Sequence, residues 1–149
     1  MLSVWWNMKG VIHWELLPEN TTVTAEVYCQ QLDRVAAKLQ GKQDRVFFLH
    51  DNARPHVARS SRQKLMEFAW TVLPHAPYSP DLAPTDYHLF RSLANFLDKK
   101  IFANDDELKE HLGQFFNQKS EEFYKRGIMS LPDRWRKVAD NNGLYIDEI

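Results

Sequence analysis

A single cysteine, Cys29, stands in a chain of 149 residues. An internal disulfide and a cysteine-based zinc site are therefore excluded, and a reducing, intracellular compartment is the natural reading. No stretch approaches the ~18 to 20 apolar residues of a membrane span, so no membrane partner is expected. A global cationic field is lacking too: 19 Lys and Arg against 20 Asp and Glu give a formal charge of -1. Any polyanion must then be met by a local patch. There is no glycine-rich phosphate loop, no serine nucleophile elbow and no dinucleotide fingerprint, so nothing points to those chemistries.

What is present is enough apolar material for a real core. Hydrophobic residues make up 44% and aromatics 13%, in a length that fits one domain over 1–149. The opening MLSVWWNMKG lacks the basic start and long apolar core of a secretory signal and reads as the interior of a strand. Met1 is accordingly expected to be an internal methionine of a longer ancestor.

LSVWW (2–6) and VIHWELL (11–17) read as a hairpin around NMKG, a loop slightly longer than the commonest two-residue type. Thr24 is placed to cap a helix carrying Leu32, Val35, Ala36 and Leu39 on one face, ended by Gly41. Arg45 to Leu49 reads as a fully buried, central strand. Pro55 suits the first turn of a helix to about Ala69, and WTVL (70–73) is a further short strand. Four of the seven prolines fall in PHAPYSPDLAPT (74–85), which predicts a rigid, largely extended loop.

Thr85 is then expected to cap a helix running from Asp86 toward Lys100, and Asn104 or Asp105 a second helix. Residues 120–142 read as helix in two pieces broken near Gly127 and Pro132, and Leu144 to Ile149 as a last strand or tail. The order is α/β in class. Trp5, Trp6 and Trp14 on the paired strands read mainly as core, with a base-stacking platform as the lesser alternative, and Phe115, Phe116, Phe123 and Trp135 on the late helices read as core too.

The chemistry concentrates at HDNARPH, His50 to His56, where an apolar strand ends in polar groups. Two acids stand out: Asp51 at this strand end and Asp86 at a helix start, with 34 residues between them. Two-metal phosphodiester chemistry needs hard oxygen ligands converging from different elements, and such a pair can supply them. Asp86 is also explained by the helix dipole, Asp81 competes with it, and Asp51 by a turn. Arg54, Arg59, Arg62 and Lys64 crowd the next helix and could hold a phosphate backbone, or simply form a solvated face. A histidine metal site from His50 and His56 with Asp51 is the weaker alternative, since no helical i,i+4 pair exists.

HDNARPH, VLPHAPYSPDLAPTDYHLF (72–90) and EEFYKRGIMSLPDRWRKVADNNGLYID (121–147) closely resemble the catalytic domain of mariner-family DNA transposases. WWNMKGVIHWELL and AEVYCQQLDR resemble the segment that precedes them, so the likeness covers essentially the whole chain. The resemblance implies a ribonuclease-H-like fold, a mixed sheet with flanking helices, and carboxylates binding Mg²⁺ or Mn²⁺. It implies DNA as partner, both transposon ends and target, with a homodimer as an open possibility and the nucleus as workplace. Asp51 matches the family's second catalytic acid and Asp86 its third.

The family's first catalytic aspartate lies on a strand upstream of the segment matched by MLSVWW. Neither it nor the helix-turn-helix domains that read transposon ends has a counterpart here, and Glu15 and Glu19 match no catalytic position. The expectation is an incomplete fold with two of three carboxylates and impaired strand cleavage. The alternative is a non-catalytic DNA-binding or dimerisation module derived from a transposon.

Overall fold

The computed structural model describes residues 1–42 and 45–140. Two compact units divide them, Met1–Trp5 with Ile12–Ser79, and Trp6–Val11 with the chain from Pro80 onward. The architecture is mixed α/β, with strands paired as two separate two-stranded sheets among the described residues. No described helix is long and apolar enough to cross a membrane.

Strands β1 (Leu2–Asn7) and β2 (Gly10–Leu16) form the first sheet. Their connection is the two-residue turn Met8-Lys9, tighter than the expected NMKG loop, because both strands run closer to the turn than their apolar residues indicate. Asn7 Oδ1 accepts from Lys9 N at 2.9 Å, and Gly10 takes the positive φ of 140° that closes the turn. At the open end Met1 and Leu17 exchange N–H···O bonds of 3.1 and 2.7 Å, the reciprocal pairing of antiparallel strands.

In the first unit, α1 (Ala25–Leu39) begins as its sequence predicts: Thr24 Oγ1 accepts from Val27 N at 3.2 Å. Its apolar face carries Tyr28, Leu32, Val35 and Leu39 inward. Tyr28 and Leu32 pack with Phe48 and Leu65, and Trp5, Val23, Val46, Phe68 and Trp70 close around them. Burial of such side chains contributes roughly 1.5 to 3 kcal/mol each. Glu15 meets Arg34 at 2.5 Å and His13 at 3.3 Å, so it ties β2 to α1.

Strand β3 is only Phe47–Phe48 and pairs in parallel with β4 (Thr71–Val72), with Phe47 opposite Thr71 and Phe48 opposite Val72. The expectation of a fully buried, central strand is therefore corrected. Alternation along the strand turns Phe48 into the core and leaves Phe47 56% exposed under the guanidinium of Arg45. The crossover from β3 to β4 is two helices, α2 (Arg54–Val57) and α3 (Arg59–Glu67), where one was predicted. Ala58 is extended between them, with ψ at 150°, and the buried Ser61 hydroxyl donates to the Pro55 carbonyl at 2.5 Å. That bond satisfies an acceptor the short α2 turn leaves open, and neither Gly nor Pro marks the break.

In the second unit a 3₁₀ turn (Pro80–Leu82) interrupts the proline-rich segment, which is thus less extended than expected. A π-helical turn (Thr85–Phe90) leads into α4 (Arg91–Leu97). Thr85 does not cap it: its hydroxyl accepts from Trp6 Nε1 at 2.9 Å instead. Helix α5 (Asp105–Gln118) is capped by Asn104, which accepts from Glu107 N at 2.9 Å. Helices α6 (Glu121–Met129) and α7 (Leu131–Asp140) part at Ser130, so the predicted breaks at Gly127 and Pro132 are corrected.

Pro132 sits harmlessly in the first turn of α7, where its missing N–H is not needed. Gly127 lies inside α6 for packing: a Cβ there would meet Cγ of the His88 ring at 2.7 Å. The core here holds Leu82, Leu89, Leu93, Leu112, Phe115, Phe116 and Tyr124. Trp135 is exposed on α7 rather than part of it. The proposed strand or tail at 144–149 lies outside the described residues.

Candidate active site

Asp51 follows β3 after two residues and stands at the mouth of the β3–α2 connection, where parallel strands present their chemistry. Its side chain is 54% exposed, and Oδ1 accepts from Ala53 N at 3.0 Å in a local Asx turn. Nδ1 of His56, from α2, approaches the same oxygen at 2.6 Å. Both contacts fall on Oδ1, so Oδ2 is the oxygen left for a cation.

Three rings gather behind this carboxylate. His50 and His56 stack with centroids 5.1 Å apart and planes 5° from parallel, and Tyr28 lies 4.2 Å from His56. Tyr28 Oη and His50 Nδ1 are 2.8 Å apart. Burial, assisted by His56, pushes His50 down to about 4, and Asp51 only partly opposes this. Burial likewise pushes the Tyr28 phenol well above its usual range, with Asp51 adding to it. Both groups are thus neutral at pH 7, and the phenol donates to the imidazole. With Nδ1 of His50 accepting from Tyr28, the proton of that ring sits on Nε2, which counts against His50 as a metal ligand.

Asn52 Nδ2 donates to the His75 carbonyl at 3.0 Å and so anchors the start of the proline-rich segment beside Asp51. Arg54, Arg59 and Arg62 are all exposed along α2 and α3. Lys64 leaves the basic group, because its ammonium is bound by Asp33 at 2.9 and 3.1 Å.

Asp86 belongs to the second unit, exposed in the first turn of the π-helical segment, with its N–H donating to Ala83 O at 2.8 Å. Asp81 is buried in the 3₁₀ turn, and its carbonyl accepts from Arg134 at 3.2 Å. Of the two acids, Asp86 is the one at the surface. Among the described residues no group of three or more His, Cys, Asp or Glu side chains is gathered for a metal. The exposed carboxylates of Asp51 and Asp86 are the hard oxygen donors that Mg²⁺ or Mn²⁺ prefers.

Sequence reasoning missed Tyr28, Asn52 and Trp6. Trp6 reads as a core aromatic and Tyr28 carries no sequence signal of its own, and only the polar partner each one finds far along the chain sets it apart. Asn52 could have been noticed as the amide beside the acid in HDNARPH.

The sequence profile of the family described as Transposase (partial DDE domain) matches residues 1–48. The chain is 47% identical to the Mariner Mos1 transposase of Drosophila mauritiana, over 99% of this chain and 45% of that protein. The Mos1 transposase catalytic domain, solved with raltegravir and Mn, superposes with a TM-score of 0.94 at 46% identity. That match covers 98% of this chain and 76% of the solved one. The chain belongs to the mariner transposases.

Mos1 has also been solved with Mg, and in a paired-end complex with the left transposon end at a TM-score of 0.93. The human histone-lysine N-methyltransferase SETMAR is 44% identical over 99% of this chain and 22% of that protein. The chain thus spans less than half the length of these curated relatives.

Proposed function

We propose that this chain carries out DNA strand cleavage and transfer in transposition, as the catalytic part of a mariner-type transposase. The reading rests on the near-complete superposition on a transposase catalytic domain that was solved with Mn and with Mg. It takes the fold as ribonuclease-H-like, a reading supported by the parallel β3–β4 pair with an acid just beyond the strand end. Asp51 and Asp86 would hold Mg²⁺ or Mn²⁺, which when bound supplies charge stabilisation at the attacking and leaving oxygens.

The chain's own residues have definable tasks. Ala53 N and His56 fix one oxygen of Asp51, so the carboxylate meets a cation already oriented. Arg54, Arg59 and Arg62 would bind the phosphate backbone and hold the strand in register without reading bases. Transposon ends and target DNA are the proposed partners, and a homodimer fits the paired-end complex solved for Mos1. The nucleus is the proposed workplace, because the substrate would be chromosomal DNA.

Nicking of supercoiled plasmid in Mn²⁺ tests the reading. Cleavage should vanish with chelator and fall at least ~10²-fold in Asp51→Asn and in Asp86→Asn. Cleavage that survives both substitutions would overturn it. A second reading, a non-catalytic DNA-binding or dimerisation module, is favoured by one observation: the matched segment also occurs in a larger protein named for methyl transfer. A module of that kind would bind DNA equally well with or without Asp51 and Asp86.

A further inference from the structure

Tyr78 occupies a place that its residue type does not favour. It is the second central residue of the turn Ala76–Ser79, after Pro77, and its φ is 52°. A turn with Pro first and positive φ second asks for Gly or Asn, because a Cβ crowds the backbone there. The position instead carries a large aromatic ring that is 90% exposed. The strain is imposed from the flank: Ser79 is buried, and its hydroxyl donates to the Pro77 carbonyl at 3.0 Å. Strain of this kind persists where the surroundings over-determine it, and it gathers at functional sites.

The turn is also tied to the acid. Asn52, next to Asp51, donates to the carbonyl of His75, three residues before Tyr78. Three residues of chain reach at most ~11 Å, so the Cα that carries the ring stands within about that distance of the anchored residue. Exposed Arg54, three positions after Asp51, opens α2 and is a cation suited to phosphate. Within 74–79 no second large apolar side chain is exposed, so this is a single flat post rather than an apolar patch for docking a protein. A lone aromatic beside a phosphate-binding group fits the π-face of a base, whichever base it is.

We propose that Tyr78 is a stacking post for a base of the DNA strand held at Asp51. The proposal rests on the DNA-processing reading above. It adds that the grip beside the acid is an aromatic one and independent of base identity.

The test is binding of the chain to oligonucleotides carrying 2-aminopurine, at one fixed salt concentration, with melting curves on the same proteins. Tyr78→Phe should bind within about twofold of wild type and quench 2-aminopurine equally. Tyr78→Ala and Tyr78→Gly should bind on the order of tenfold more weakly and lose the quenching. Tyr78→Gly should at the same time raise the melting temperature, because it removes the strain while deleting the post. Unchanged binding by Tyr78→Ala, with wild type still bound, would overturn the stacking role and leave the DNA reading standing. A lower melting temperature for Tyr78→Gly with unchanged quenching would make the residue structural. Failure of wild type to bind DNA at all would overturn both.

Discussion

His56 Nδ1 sits 2.6 Å from Oδ1 of Asp51, and the imidazole that carries it is packed against Tyr28 and His50. The carboxylate is mostly solvent-facing, but its orientation is set by a group that cannot readily turn away. Second-layer partners of this kind typically change metal affinity 10- to 100-fold. His56→Ala should therefore weaken Mn²⁺ binding at least about tenfold. His56→Asn, whose amide nitrogen can stand where Nδ1 stands, should restore part of it. Electron paramagnetic resonance of free Mn²⁺ measures both, and equal affinity in all three proteins would show that Asp51 needs no support.

Gly127→Ala should be costly although the position is helical. The added methyl would collide with Cγ of His88, and that ring is held by a 2.7 Å contact between Nε2 and the Phe123 carbonyl. Overpacking against a tethered group costs about 1 to 3 kcal/mol, far beyond the usual Gly-to-Ala gain in a helix. Urea unfolding should show a midpoint shift to lower denaturant.

Trp6→Phe should keep most of the ring packing against His88 and Tyr124 while removing the 2.9 Å bond to Thr85. The expected loss is about 0.5 to 1.5 kcal/mol, the net worth of one such hydrogen bond. Thr85→Val should cost a similar amount, and the double variant little more than either single one. Additive losses would mean that the two residues act separately.

At high pH the second unit should weaken. Burial raises the Tyr124 phenol above 10.0, and its hydroxyl donates to the Phe116 carbonyl at 2.8 Å. The folded chain keeps this proton where the unfolded chain has lost it, so the unfolded state binds fewer protons above pH 10 and stability falls as pH rises. Melting curves between pH 8 and 11 should decline more steeply in wild type than in Tyr124→Phe.

Much of this fold was legible because its signals are local. Thr24 and Asn104 cap α1 and α5 as their residue types require, and the apolar face of α1 follows from spacing alone. What could not be read depends on partners distant in sequence. Thr85 has the chemistry of a cap, but an indole 79 residues away takes its hydroxyl. The break at Ala58 has no residue signature, since a serine hydroxyl three positions on ends the preceding turn. Phe47 and Phe48 look alike in sequence, and only the pairing with β4 decides which one faces water.

The candidate site divides in the same way. Asp51 was visible at the end of an apolar run and Asp86 at a helix start. The ring cluster that steadies Asp51 was not, because Tyr28 reaches His50 across 22 residues.

The most direct test of the central claim is a Mn²⁺ titration of wild type, Asp51→Asn, Asp86→Asn and the double variant. The account predicts specific binding by wild type, a loss of about tenfold or more in each single variant, and no specific binding in the double one. Equal Mn²⁺ binding by all four proteins would contradict it, and the chain would then be a module that meets DNA without metal.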